Sequence, residues 1–91
     1  MFTITEAAKK EIVNRLTKSE ATFVRLQMRF SCLMKMKLTL EESTQTDDEE
    51  INIEDINFII DKDQRHYFAN KQIDYIPDHN GFREFEAGEQ L

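Results

Sequence analysis

The sequence has few of the residues that build most recognisable active sites. Its 91 residues include one cysteine (Cys32), two glycines, one proline and no tryptophan. A single cysteine excludes a disulfide within the chain and makes a reducing compartment, the cytoplasm, the expectation. The two isolated glycines exclude a glycine-rich phosphate-binding loop. No apolar run approaches the length of a membrane span, and the opening MFTITEAAKK lacks the basic-then-apolar order of a signal peptide.

Charge is plentiful but unevenly distributed along the chain. Residues 1–37 carry eight Lys/Arg against three Asp/Glu, whereas residues 38–91 carry four against fifteen, for a net charge of −6. A chain this acidic is not expected to bind nucleic acid, because phosphate neutralisation drives that binding. Two interpretations remain. The halves fold together and their charges pair across strands, or a basic face and an acidic face orient a partner or a second copy.

Apolar spacing near the N-terminus predicts one helix. In TEAAKKEIVNRL, Ala8, Ile12 and Leu16 are four residues apart and form one stripe, which Val13 is expected to widen. Thr5 has the side chain and the place of an N-cap. The preceding FTIT is predicted to be a short strand. The length fits one domain, residues 1–91.

A period of two then predicts paired strands. Apolar and polar residues alternate from Val24 to Phe30, with Arg25 and its alternate neighbours on the solvent face, and the pattern repeats from Met34 to Leu40. A turn near residues 31–33 would make these runs a hairpin. INFIID, QIDYI and FREFE are predicted strands, DKDQRHYFAN a short helix or turn, EESTQTDDEE a solvated loop, and AGEQL a frayed tail. We therefore predict an α+β fold, a small single domain of twisted β-hairpins and mixed sheet packed with the N-terminal helix.

The chemistry of Cys32 stays open at this point. It is a metal ligand, a reactive nucleophile or a buried core thiol. Cys32 is two residues from both Phe30 and Met34, so the alternating pattern puts it on their apolar face and favours the core. A nucleophilic cysteine needs a nearby base, but nothing in the sequence brings His66 or His79 to it. We therefore predict no catalytic residues and no enzyme activity.

The order of the segments resembles the HesB-like, or A-type, iron–sulfur cluster carrier family. The resemblance covers nearly the whole chain, from ITEAAKKEIVNRL onward, and the family places its first cysteine after a strand of basic and apolar residues, where Cys32 falls. Further along it rests on these matches: Ile60-Asp61, Tyr67-Phe68, Ile73-Asp74-Tyr75, Gly81-Phe82 and Phe85.

The resemblance implies a protein related to iron–sulfur cluster biogenesis, with iron–sulfur assembly proteins as partners, homodimer formation, and Cys32 as a metal ligand. The cofactor would be iron or an iron–sulfur cluster. Family members use three cysteines, one in a glycine-flanked loop and two in a C-terminal Cys-x-Cys pair. Here Ser31, Leu33 and Met34 stand where the family has glycines, and the sequence lacks the pair. Ordinary cluster carriage is therefore not expected. The alternative is a protein-interaction or regulatory module that keeps the fold without metal and uses the acidic residues 47–50 to bind a partner.

Overall fold

The computed structural model describes residues 2–30, 34–77 and 80–89 and folds them into one helix and two sheets. In chain order the elements are β1 (Thr3–Ile4), α1 (Glu6–Thr17), β2 (Phe23–Phe30), β3 (Met34–Glu41), β4 (Asp48–Ile53), β5 (Ile56–Asp61), a 3₁₀ helix (Arg65–Tyr67), β6 (Lys71–Pro77) and β7 (Arg83–Glu89).

The strands form two mixed sheets. One has three strands in the order β1-β6-β7, and the other has four in the order β3-β2-β5-β4. β1 runs parallel to β6 and β2 runs parallel to β5, while the remaining neighbours are antiparallel. This arrangement confirms the predicted α+β class. It also confirms the β2–β3 hairpin, whose predicted turn at residues 31–33 lies outside the described residues.

Helix α1 begins where the sequence predicted. The Thr5 hydroxyl accepts a hydrogen bond from the Ala8 amide at 3.2 Å and donates one to Asp74 Oδ1 on β6 at 2.7 Å. Ala8 and Ile12 are fully buried, but Val13 is 41% exposed. Its predicted place in the apolar stripe was wrong, because one residue step turns a helix by about 100° and carries Val13 past the buried stripe.

One core joins both sheets and the helix. Alternate residues of β2 and β5 point into it, and Phe2 stacks edge-on against Phe58 with ring centroids 5.1 Å apart. The buried apolar residues of this core are Phe2, Ile4, Ala8, Ile12, Val24, Leu26, Met28, Ile56, Phe58, Ile60, Phe68, Ile73 and Phe85. The opposite face of the four-stranded sheet, called the outer face below, carries Arg25, Arg29 and their register partners.

The acidic segment was predicted wrongly as a single loop. Strand β4 begins at Asp48 and pairs with β5 through a two-residue turn at Glu54 and Asp55, whose φ angles are 51° and 67°. These positive angles match a type I′ hairpin turn, which normally uses asparagine or glycine. The sequence lacked that turn signal, although Ile51 and Ile53 alternate with polar residues as a strand requires.

The C-terminal segment was also assigned wrongly. Residues 87–89 of the predicted frayed tail belong to β7, where Ala87 pairs with Ile73 and Glu89 pairs with Lys71. Residues 90–91 lie outside the described residues. An ion pair between Lys71 and Glu89 at 2.7 Å accompanies this last rung of the sheet.

The charged halves of the chain fold together, as the first interpretation predicted. Four ion pairs of the described residues join a cation from residues 1–37 to a carboxylate from residues 38–91. They are Lys9–Glu54, Arg25–Glu41, Arg25–Asp48 and Lys35–Glu84.

Candidate functional site

The candidate metal ligand lies between the ends of β2 and β3. Cys32 itself, with Ser31 and Leu33, is outside the described residues, so the prediction that it binds metal stays a prediction. The residues on either side are described. Arg29 and Lys35 are register partners, and both are exposed on the outer face. Two positive charges therefore lie at the adjoining ends of β2 and β3.

A side-chain clamp holds the end of β2 four residues before Cys32. The Met28 amide donates to Gln64 Oε1 at 2.6 Å, and Gln64 Nε2 donates to the Met28 carbonyl at 3.2 Å. Gln64 precedes the 3₁₀ helix and mimics a neighbouring strand where β5 has already ended. The side-chain amide of Gln64 therefore ties the end of β2 to the segment that follows β5.

The β2–β3 hairpin also reaches the three-stranded sheet. Lys35 Nζ lies 3.7 Å from Glu84 Oε2 on β7, with both side chains well exposed. This contact is a weak surface pair. It joins β3 of the four-stranded sheet to β7 of the three-stranded sheet.

Among the described residues, the structure does not bring a histidine into a catalytic or metal-binding group. His66 is exposed in the 3₁₀ helix, and its ring centroid lies 4.0 Å from that of Tyr67. His79 lies outside the described residues. Among residues 2–30, 34–77 and 80–89, no group of three His, Cys, Asp or Glu side chains is placed to hold a metal ion.

An ion triad on the outer face was missed by sequence reasoning. Arg25, predicted to face solvent, is only 5% exposed. Its guanidinium donates to both oxygens of Asp48, at 2.6 Å each, and also bonds Glu41 through Nε and Nη2. The hydrogen bonds to Asp48 and Glu41 raise the pKa of Arg25 above its ordinary value. Hydrogen bonding from Arg25 lowers the pKa of Asp48.

The triad organises the acidic loop of residues 42–47. Asp48 accepts from the Gln45 amide at 2.7 Å, while the Asp48 amide donates to the Gln45 carbonyl at 3.1 Å. Asp48 has a side chain only 1% exposed, so it is not one of the solvated acids predicted there. Glu42 and Asp47 remain exposed on the loop.

A family model described as iron–sulphur cluster biosynthesis matches residues 1–89. The chain belongs to this family. The resemblance to HesB-like, A-type proteins is thereby confirmed, and the chain is related to iron–sulfur cluster biogenesis. A search of curated proteins finds no match for this family member.

Solved structures share the fold of this family member. IscA with a 2Fe–2S cluster superposes with a TM-score of 0.76 at 22% identity, covering 98% of this chain and 85% of IscA. Escherichia coli SufA, described as involved in biosynthesis of iron–sulfur clusters, superposes with a TM-score of 0.76 at 16% sequence identity. The match covers 97% of this chain and 79% of SufA. An Aquifex aeolicus protein solved by NMR superposes with a TM-score of 0.71 at 17% sequence identity, covering 94% of this chain and 88% of that protein.

No helix of the described residues is both long enough and apolar enough to cross a membrane.

Proposed function

We propose that this chain takes part in iron–sulfur cluster biogenesis as a one-thiolate participant that shares a cluster or iron with other molecules. The family match over residues 1–89 carries the proposal. Cys32 is the only thiol in the sequence, and the strands on either side of it carry the exposed cations Arg29 and Lys35. In this role the protein acts by binding and transfer, without catalysis.

The donor set does not fit a cluster held by this sequence alone. Four thiolates ordinarily hold a cluster, and two copies of this sequence supply two. No alternative acid or histidine set exists among the described residues. The missing ligands therefore come from a small thiol or from an iron–sulfur assembly protein. A homodimer would bring two Cys32 thiolates together, and a reducing cytoplasm would keep them free.

Anaerobic reconstitution with ferrous iron, sulfide and glutathione tests this proposal. We expect visible thiolate-to-iron absorption with about two Cys32 per cluster, and weaker absorption when glutathione is omitted. The matched control is Cys32→Ser, which preserves shape but removes the ligand. Equal absorption from wild type and Cys32→Ser would contradict the proposal.

A second candidate function is a metal-free interaction module. Its support is the acidic loop, which hydrogen bonds between Gln45 and Asp48 hold in a defined shape while Glu42 and Asp47 stay exposed. Exposed acids on a fixed loop suit a basic partner.

Pull-down from cell extract tests the module with the double variant Glu42→Gln/Asp47→Asn. Asp48 is left intact, because its side chain is buried against Arg25 and its loss would disturb the fold. A partner that binds the loop should be lost with the double variant and retained with the distant control Glu86→Gln. Unchanged recovery would argue against the acidic loop as the binding surface.

A further inference from the structure

We propose that the groove beside β4 binds an extended peptide segment of a partner, one that alternates basic and apolar residues and adds as a strand to the free edge of the four-stranded sheet. The residues that line this site do not include Cys32, and the proposal does not depend on the proposed cluster chemistry.

The first observation is the free edge of β4. In the order β3-β2-β5-β4, β4 is bonded only to β5. The two-residue turn makes Ile53 and Ile56 a hydrogen-bonded pair, and such pairs then alternate along the hairpin. The Lys62 amide, which donates to the Asp47 carbonyl at 3.0 Å, continues the same alternation.

That alternation turns the backbone groups of Glu50 and Asn52 away from β5. The Asp48 amide obeys the same rule, since it points outward and meets the Gln45 carbonyl. Among the described residues, the amides and carbonyls of Glu50 and Asn52 have no backbone partner across this edge. Four backbone groups in a row are available to an added strand.

The second observation is the groove that runs along this edge. It has a volume of about 730 Å³, within the range of ligand sites. One wall is β4 from Glu49 to Asn52, and the other comes from the region of the 3₁₀ helix. Buried Phe2, Ile60 and Phe68 line its interior, beside half-buried Ile51.

The groove gives the added strand two unlike faces. Side chains of the added strand that point to the core side would meet the apolar lining, which favours valine-like residues. Side chains on the outer face would lie beside exposed Glu50 and near the triad of Arg25, Glu41 and Asp48, which holds two carboxylates and one guanidinium. Charge complementarity therefore favours lysine or arginine at the alternate positions.

The same charges disfavour a second copy on this edge. Pairing β4 with β4 would bring Glu50 and its acidic neighbours on one copy against those of the other. Charged side chains on edge strands prevent such self-pairing. A basic partner strand reverses that effect.

The opposite wall sets a further restriction. Arg65 Nη1 lies 3.3 Å from Glu49 Oε2, so an ion pair joins the two walls, with Lys62 and His66 beside it. Glu49 is thus neutralised, whereas Glu50 has no ion pair with any described residue. Glu50 is the residue whose charge selects the basic side chain.

The test uses a fluorescein-labelled six-residue peptide that alternates lysine and valine, with fluorescence anisotropy as the readout. We expect saturable binding, at least fivefold weaker for the block-ordered peptide of three lysines followed by three valines. Glu50→Lys should weaken binding at least fivefold. Glu20→Lys, an exposed residue in the loop after α1 with the same charge change, should weaken it less than twofold.

Backbone methylation separates edge pairing from charge attraction. Only alternate amides of an added strand face β4, so methylating either the three lysine amides or the three valine amides should reduce affinity at least tenfold, and methylating the other set should not. Lysine amides face β4 in an antiparallel addition and valine amides in a parallel one.

Three results would overturn the proposal. One is equal binding of both methylated peptides, which would indicate charge attraction alone. Another is equal weakening by Glu50→Lys and Glu20→Lys. The third is no binding at millimolar peptide. None of these bears on iron reconstitution through Cys32, so failure of the groove and failure of the proposed function are distinguishable.

Discussion

The two ends of the outer face of the four-stranded sheet use arginine in opposite ways. Arg25 and Arg29 both lie on β2, four residues apart and on the same face. Arg25 is 5% exposed and bonded to two carboxylates. Arg29 is exposed, faces Lys35 across the hairpin, and has no ion pair with another described residue. One end holds its charges in the fold, and the other presents them to solvent.

The difference shows where charge stabilises this protein and where it remains available for binding. A guanidinium held by two carboxylates cannot be removed without leaving buried charge uncompensated. Exposed lysines and arginines contribute little to stability, and their field remains available to attract anions. The basic end borders the Cys32 segment, so stability and proposed function are segregated along one face.

The largest expected effect comes from Arg25→Met. It leaves Asp48 buried without its cation, and we expect unfolding free energy to fall by about 3–5 kcal/mol. For a domain of this size that corresponds to a melting temperature lower by roughly 15–30 °C. Thermal and urea unfolding followed by circular dichroism measure it.

The matched control for that prediction is Arg29→Met, expected to change stability by about 0.5 kcal/mol or less. If Arg25→Met does not fold, Arg25→Lys is the second variant. It keeps the charge but loses the paired hydrogen bonds of the guanidinium, and should still lower the unfolding free energy more than Arg29→Met does. Equal losses of unfolding free energy at positions 25 and 29 would contradict the proposed difference between the two ends of the outer face.

The alternating pattern predicted which face each β2 residue occupies, but it could not predict the burial of Arg25. Periodicity depends on the local chain, whereas burial of Arg25 depends on Asp48, two strands away in the sheet and 23 residues later. Strand β4 was missed for a related reason. Its turn uses Glu54 and Asp55 at positive φ; aspartate tolerates this conformation, but glutamate does not favour it, and no glycine marks the turn.

The middle effect concerns Asp48 and pH. Bonding to Arg25 lowers the folded-state pKa of Asp48 below its usual 3.8. The unfolded state therefore binds more protons between the two values, and this contribution is present above about pH 4 and lost as pH falls below it. Asp48→Asn should cost about 2–3 kcal/mol at pH 7, and its deficit relative to wild type should shrink below pH 4.

Asp47→Asn is the control for the pH prediction. It makes the same chemical change one residue earlier, on an exposed side chain of the acidic loop. Its stability should follow that of wild type from pH 7 to pH 3, within about 0.5 kcal/mol. A deficit in Asp48→Asn that stays constant down to pH 3 would mean that lost packing, not lost charge, causes it.

Helix α1 and the Cys32 segment show two further limits. Thr5 was predicted correctly as the N-cap, because capping depends on residues three apart. Val13 was predicted wrongly, because it lies one residue step, about 100° of helix rotation, past the buried stripe. Whether Cys32 ligates metal depends on the arrangement of thiols from other molecules, which no single sequence contains.

The smallest expected effect is at the basic end, with Lys35→Gln. The change removes the 3.7 Å ion pair with Glu84, which is worth little on the surface. It also removes the repulsion between Lys35 and Arg29, which are directly opposite across the hairpin. The two terms oppose each other, so we expect a stability change of about 0.5 kcal/mol or less. Lys37→Gln, which breaks no described ion pair, is the control. A cost above about 1 kcal/mol for Lys35→Gln alone would show that this end is also held by its charges, and the separation of stability from proposed function along the face would fail.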